Sequence, residues 1–335
     1  MGILKSILII SPALLFSSCY ETFTPDFKQK PVLCLNSLIK AGEPIDVKVT
    51  HTWIYSDTEK IKDHSVTDAQ LTIYANGIIV GTDYLPREGD NIRIYAKSEK
   101  YGEAEAEVDI PYISKLQNVT CSIIPLYQDH FTEGNHRMNL SLDFNLEIKM
   151  EISDDVESEN FYRISFKDFD INYPLIKGED PGNESFDESY VLFLGGFLDY
   201  EAEPLFYENI EELENIYGGA EGSSFFTDKN FSGSCYNLNL HFSPCRYVVE
   251  SEEWNPELLD CGKEITLHSV SKSYYDLNYY DFYIEYGVLG NLSYLGYVDP
   301  IWGYSNVSTG AGVVAAESSF QYKVNLKEAL EKFLK

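Results

Sequence analysis

Three features of the 335-residue chain predict a mainly β fold. Residues Glu103 to Ile110 alternate without a break: Ala104, Ala106, Val108 and Ile110 share one face, and Glu103, Glu105, Glu107 and Asp109 share the other. A period of two this regular marks a strand with one side in a core and one in water. Upstream, Asn76-Gly77 joins two short β-rich runs and is the strongest two-residue hairpin signal. Downstream of Pro111 the runs lengthen, and long acidic connections separate them.

In chain order, Ile7 to Phe16 is an apolar run preceded by Lys5 and closed by Ser17-Ser18-Cys19. Residues 1–18 therefore read as a secretory signal with a small-residue cleavage site. Cys19 directly after two small residues is the pattern of a bacterial lipoprotein signal, in which the thiol is acylated before cleavage. Met1-Gly2 to Ser6 also fits the permissive myristoylation pattern, which leaves the apolar run and the cysteine unexplained. The run is shorter than the roughly 20 residues that cross a bilayer. Residues 19–31 then form an extended tether containing Pro25 and ending at Pro31.

The first domain is read over residues 32–111. Val32 to Ile39 and Ile45 to Tyr55 flank the turn Lys40-Ala41-Gly42-Glu43-Pro44, and Ala69 to Ala75 turns at Asn76-Gly77 into Ile78 to Gly81. Pro86-Arg87-Glu88-Gly89-Asp90 is a third turn, before the alternating Ile92, Ile94 and Ala96. Short strands at this spacing, ending at Pro111, describe an immunoglobulin-like antiparallel sandwich, without the Cys-Trp-Cys pattern of antibody domains.

Residues 112–335 are expected to form a β-rich C-terminal domain with one or two helices. Leu140 to Met150, Phe161 to Phe169, Val191 to Leu198 and Tyr236 to Phe242 are strand candidates, and Asp199 to Ser224 is an acidic loop with room for one short helix. In Ser273 to Gly287, Tyr275, Tyr279, Phe282 and Tyr286 recur at helical spacing, which suits a core stripe better than a ligand platform. Leu326, Ala329, Leu330 and Phe333 space a closing amphipathic helix. Between the helices lies a loop carrying Tyr294, Tyr297, Trp302 and Tyr304, the candidate binding residues, because aromatics in a loop have no automatic core role.

Composition narrows the partners. A net charge of −29 repels nucleic acid and anionic membrane surfaces alike, and 26 Tyr with 19 Phe suffice for a large core. Besides Cys19 there are five cysteines; Cys235, Cys245 and Cys261 are close enough in sequence for a disulfide within the trio, with no basis for choosing the pair. Asp168, Asp170, Asn172 and Glu179 match positions one, three, five and twelve of a calcium loop, but Tyr173 stands at the glycine position, so a strand running into solvent explains them better. The six histidines are scattered, and no HExxH, GxSxG or P-loop occurs. Neither a metal, a cofactor nor a catalytic residue is assigned.

The succession Cys19, Pro31-Val32-Leu33, Ala41-Gly42-Glu43-Pro44, Val66-Thr67-Asp68-Ala69, Asn76-Gly77, Tyr84, Arg87-Glu88-Gly89 and Ile110-Pro111, with Ser305-Asn306-Val307 and Gly310-Ala311-Gly312-Val313-Val314 near the end, resembles the Bacteroidetes lipoproteins grouped as domain of unknown function 4249. The resemblance implies an outer-membrane lipoprotein, periplasmic or surface-facing, that accompanies a TonB-dependent transporter; it brings no catalytic residues. The expectation is thus a lipid-anchored binding protein, an accessory of nutrient uptake and not an enzyme. The alternative is a surface adhesin or structural lipoprotein without a small-molecule ligand.

Overall fold

The computed structural model describes residues 30–52, 64–130, 138–154, 159–169, 190–206, 224–251, 256–286, 292–293, 295, 297 and 303–333. The chain is mainly β, and every element below belongs to the compact unit formed by Val32–Thr52 and Lys62–Lys335.

Alternating apolar residues build the first core. Strands β1 (Leu33–Lys40) and β2 (Lys48–His51) pair antiparallel across the Gly42 turn, where Gly42 has φ +78°. A four-stranded antiparallel sheet follows, in the order β4-β3-β5-β6, from β3 (Gln70–Ala75), β4 (Ile78–Val80), β5 (Asn91–Ser98) and β6 (Gly102–Asp109). Asn76 and Gly77 have φ 51° and 79°, the left-handed pair that a tight hairpin needs, and Asp90 ties this hairpin to the next turn by accepting from Asn76 Nδ2, Tyr84 Oη and Arg87 N at 2.8 Å each. The predicted inner face is the inner face: Ala104, Ala106, Val108 and Ile110 are buried against Ile92, Ile94, Leu33 and Leu35. Each large aliphatic side chain buried here contributes about 1.5–3 kcal/mol.

The second core lies between longer strands. β7 (Lys115–His130), β8 (Met138–Ser153), β10 (Tyr190–Leu194), β11 (Phe197–Leu198) and β13 (Cys235–Ser251) form one sheet, ordered β10-β13-β8-β7 with β11 also on β13. Its inner face, including Phe144, Leu146, Ile148, Leu240, Phe242 and Tyr247, packs on residues of β9 (Phe161–Phe169), β14 (Gly262–Val270) and β15 (Ala311–Asn325). With β12 (Phe225–Thr227), these three strands join β1 and β2 in a six-stranded sheet, β12-β9-β14-β15-β1-β2.

That sheet corrects the expected division after Pro111. Strand β15 contributes Val314 and Ala316 to the first core and Val324 to the second, and it pairs with β1 in parallel, Cys34 against Ala311 through Lys40 against Glu317. Residues 32–111 therefore do not close a sandwich by themselves. Other departures are local. The predicted strand Val191 to Leu198 is interrupted at Gly195-Gly196, where Gly196 has φ +67°. Strand β7 had no counterpart in the sequence reading, because its register shifts between Gln117/Thr120 and Pro125/Tyr127 break the period of two. The two predicted helices are present: α1 (Lys272–Tyr286) and the short α2 (Lys327–Leu330), with Leu326, Ala329 and Leu330 buried.

Candidate functional site

A cleft of about 470 Å³ opens where five segments meet: the end of β6, the start of β9, the end of β14, the first turn of α1 and the chain returning to β15. Ser271 and Ser273 fix the helix start. Ser271 Oγ accepts from Ala316 N at 2.9 Å, and Ser273 Oγ donates to the Val314 carbonyl at 3.0 Å. Asn306 clamps the returning chain to the same residue, Nδ2 donating to Val314 O at 2.8 Å and Oδ1 accepting from Val314 N at 2.9 Å. This clamp presents Tyr304 to the cleft.

The walls combine aromatic and carboxylate groups. Tyr304 lies 5.8 Å from Tyr280 and bonds Asp276; burial, then the Asp276 carboxylate, pushes its hydroxyl up to about 12. Phe161 packs on Tyr275 at 4.9 Å. Glu107 and Asp109 are oriented by Asn91 Nδ2 at 2.7 and 2.8 Å, and Glu159 completes the acidic rim. Lys272 sits 5.6 Å above the Phe161 ring and spends its charge on Asp276 at 2.7 Å. The mouth is thus negatively charged and aromatic, suited to a small polar ligand that is neutral or cationic.

Of the predicted loop, Tyr304 reaches the cleft, Tyr297 is 76% exposed on the surface, and Tyr294 and Trp302 lie outside the described residues. Cys19 also lies outside them. No helix among the described residues is long and apolar enough to cross a membrane, a statement that does not extend to strands. On the predicted helical stripe, Tyr275 is half-buried while Tyr279 is 41% exposed, so the stripe is only partly core.

The disulfide expected among Cys235, Cys245 and Cys261 is corrected. Cys235 and Cys245 stand ten residues apart on β13, on the order of 30 Å along a strand, against the roughly 4–7 Å between Cα atoms that a bridge requires. Cys245 is a buried free thiol, its pKa pushed up to about 11 by burial. Cys261 is buried near Tyr247, still farther along β13 from Cys235.

Asp168 is committed elsewhere: it accepts from the buried Lys263 Nζ at 2.6 Å and from Gly195 N at 2.8 Å. The other members of that calcium pattern, Asp170, Asn172 and Glu179, lie outside the described residues.

Sequence reasoning missed a second polar group because its members come from four strands. Ser165 Oγ lies 2.9 Å from His268 Nε2, and His268 Nδ1 lies 3.3 Å from Glu317 Oε2. The order is that of a Ser-His-acid relay, but Arg163 Nη2 is 3.2 Å from both ring nitrogens and 3.3 Å from the same carboxylate oxygen. A cation on the ring opposes the imidazolium that such a relay must form. Lys40 adds a second positive charge at 3.8 Å. Burial raises the Glu317 carboxyl, yet the His268 hydrogen bond with Arg163 and Lys40 outweighs it and holds the group below its usual range. This is a polar seat, one buried carboxylate shared by two cations and a histidine, beneath Tyr274 of α1.

Fold and cleft together define a mainly β protein in which two hydrophobic cores share one sheet and an acidic, aromatic cleft lies near the strand they have in common. The chain belongs to the family described as Domain of unknown function (DUF4249), whose model matches residues 20–323. Searches of curated proteins and of solved structures give no match.

Proposed function

We propose that the protein is a lipid-anchored outer-membrane binding protein that works as an accessory of a TonB-dependent nutrient-uptake system. The observation that carries the binding part is the cleft, where Tyr304 and Phe161 stand beside Glu107, Asp109 and Glu159. The lipoprotein pattern ending at Cys19 supports the anchor, and the resemblance drawn from the sequence supports the transporter.

A second observation bears on the partner. The outer face of the β7-β8-β13-β10 sheet carries Ile124, Tyr127, Leu194 and Phe197, each more than half exposed, around the Arg246–Asp143 pair. Apolar residues gathered on one sheet face suit contact with another protein. This face serves the alternative equally, a surface adhesin or structural lipoprotein that holds a partner and no small molecule.

The test of the binding reading is native mass spectrometry of the protein purified from its own outer membrane. A retained small-molecule mass that disappears in Tyr304→Ala is the expected result. Wild type at its bare chain mass, or the same added mass kept by the variant, would remove the cleft as the ligand site.

A further inference from the structure

Behind the cleft wall, Asn160 and Tyr162 also face a site made by the end of β8 and the loop between β12 and β13. Two carboxylates meet there, Asp154 at 3% exposure and Asp228 at 1%, both within 3.1 Å of the same Asn160 Nδ2. Among the described residues neither forms an ion pair. Asp228 Oδ1 is buried with no hydrogen-bond partner. Two buried like charges without a counter-ion carry a heavy desolvation cost, and a bound cation removes it.

The loop sequence gives an independent indication. Asp228-Lys229-Asn230-Phe231-Ser232-Gly233 places Asp, Asn and Ser at positions one, three and five of a calcium loop and Gly at position six. Gly233 has φ +67°, the left-handed conformation of the sharp turn, which is the feature the Asp168 segment lacks. Phe231 anchors the loop in the second core, while Asn230 and Ser232 are exposed. The twelfth position is Asn239, not the usual Glu, and Asp154, just past the end of β8, takes over as the second carboxylate, held by Gly233 N at 2.9 Å.

We propose that Asp228, Asn230, Ser232 and Asp154 form a Ca²⁺ site. Around them, Asn160 Nδ2 bridges Asp154 Oδ1 and Asp228 Oδ2 at 3.1 Å each, and Tyr162 Oη donates to Asp154 Oδ1 at 2.9 Å, orienting both carboxylates as outer partners do. The proposed donors are all oxygen, from carboxylate, amide and hydroxyl, a set that suits calcium better than zinc. Because Asn160 and Tyr162 flank Phe161 at the cleft wall, the cation ties the loop to the cleft.

The experiment uses the whole protein, stripped with a chelator and titrated with CaCl₂ by calorimetry, with thermal unfolding followed in parallel. One Ca²⁺ should bind per chain, with a dissociation constant on the order of 10⁻⁶–10⁻³ M, and the unfolding midpoint should rise as the site fills. Asp228→Asn should weaken binding by about 10–100-fold or more while raising the midpoint in chelator, since it removes one of the two facing charges. Ser232→Ala, at an exposed position, should weaken binding and leave the midpoint in chelator unchanged, so it decides the matter should the first variant fold poorly. Absence of binding up to millimolar Ca²⁺, or binding that neither variant alters, would overturn the site. So would chelator-stripped protein that calcium leaves unchanged and that loses stability as pH rises, the behaviour of a carboxyl pair sharing a proton.

Discussion

Replacing Gly312 with Ala tests how the two cores are joined. Gly312 stands opposite Leu35 in the parallel β1–β15 pairing, at φ +108°, and a Cβ there would overlap the Leu35 carbonyl oxygen and lie 3.0 Å from Asn36 Oδ1. The backbone conformation alone costs a non-glycine residue about 1–3 kcal/mol. The overlap is with backbone, so β1 must move away from β15, which partly uncovers Leu33 and Leu35, both fully buried; losing the burial of about one leucine adds roughly 1.5–3 kcal/mol. Together the loss is about 2.5–6 kcal/mol, a large share of the roughly 5–15 kcal/mol typical of a whole protein. Gly42→Ala is the control: its φ is +78°, but nothing lies within 4 Å of the added carbon, so about 1–2 kcal/mol is expected. Urea unfolding of both variants with linear extrapolation measures the difference. Equal losses would refute the claim that close approach of β1 and β15 is what requires glycine at 312.

Further expectations rest on single groups. Glu317→Gln should destabilise by on the order of 3 kcal/mol at neutral pH, because it leaves Arg163 without its buried partner. The Glu317 carboxyl is held below its ordinary 4.5, so its contribution is full above pH 4.5 and fades as pH falls through the folded value; the variant's stability curve should accordingly be flatter on the acid side. Asp168→Ala should cost about 3 kcal/mol or more, since Lys263 is 2% exposed and would be left buried beside the Phe242 ring; a loss under about 1 kcal/mol in denaturant titration would contradict this. Cys19→Ala should move the protein from the membrane to the soluble fraction on cell fractionation, and retention in the membrane would count against an acyl anchor at that residue.

Sequence reading succeeded where one strand carried its own evidence. The alternation in Glu103 to Ile110 identified the buried face, and Asn76-Gly77 located a hairpin, because both signals are local. It failed where the partner of an element lies far along the chain. Nothing local in Leu33–Lys40 announces that Ala311–Asn325 will lie parallel to it, yet that pairing decides that residues 32–111 are not self-contained. The Gly310-Ala311-Gly312 run and Asn306 stood out only as family punctuation; the structure explains them as close strand approach and a backbone clamp. For the cleft, Tyr304 was legible as a loop aromatic, whereas Glu107, Asp109, Glu159 and Phe161 were not, since each sits in an ordinary strand or turn pattern. The Asp228 loop was legible in principle from Asp-x-Asn-x-Ser-Gly, but its second carboxylate, Asp154, comes from the residue that follows β8, far away in sequence.

The most direct test of the accessory-subunit proposal is a mild-detergent pull-down of the tagged protein from the solubilised membranes of its native cells, with mass spectrometry of what stays bound. The account predicts a TonB-dependent transporter in stoichiometric amount, diminished when Phe197 and Tyr127 on the exposed sheet face are changed to Ser. Recovery of the protein alone, from cells shown to express such transporters, would contradict it and leave the adhesin or structural reading in its place.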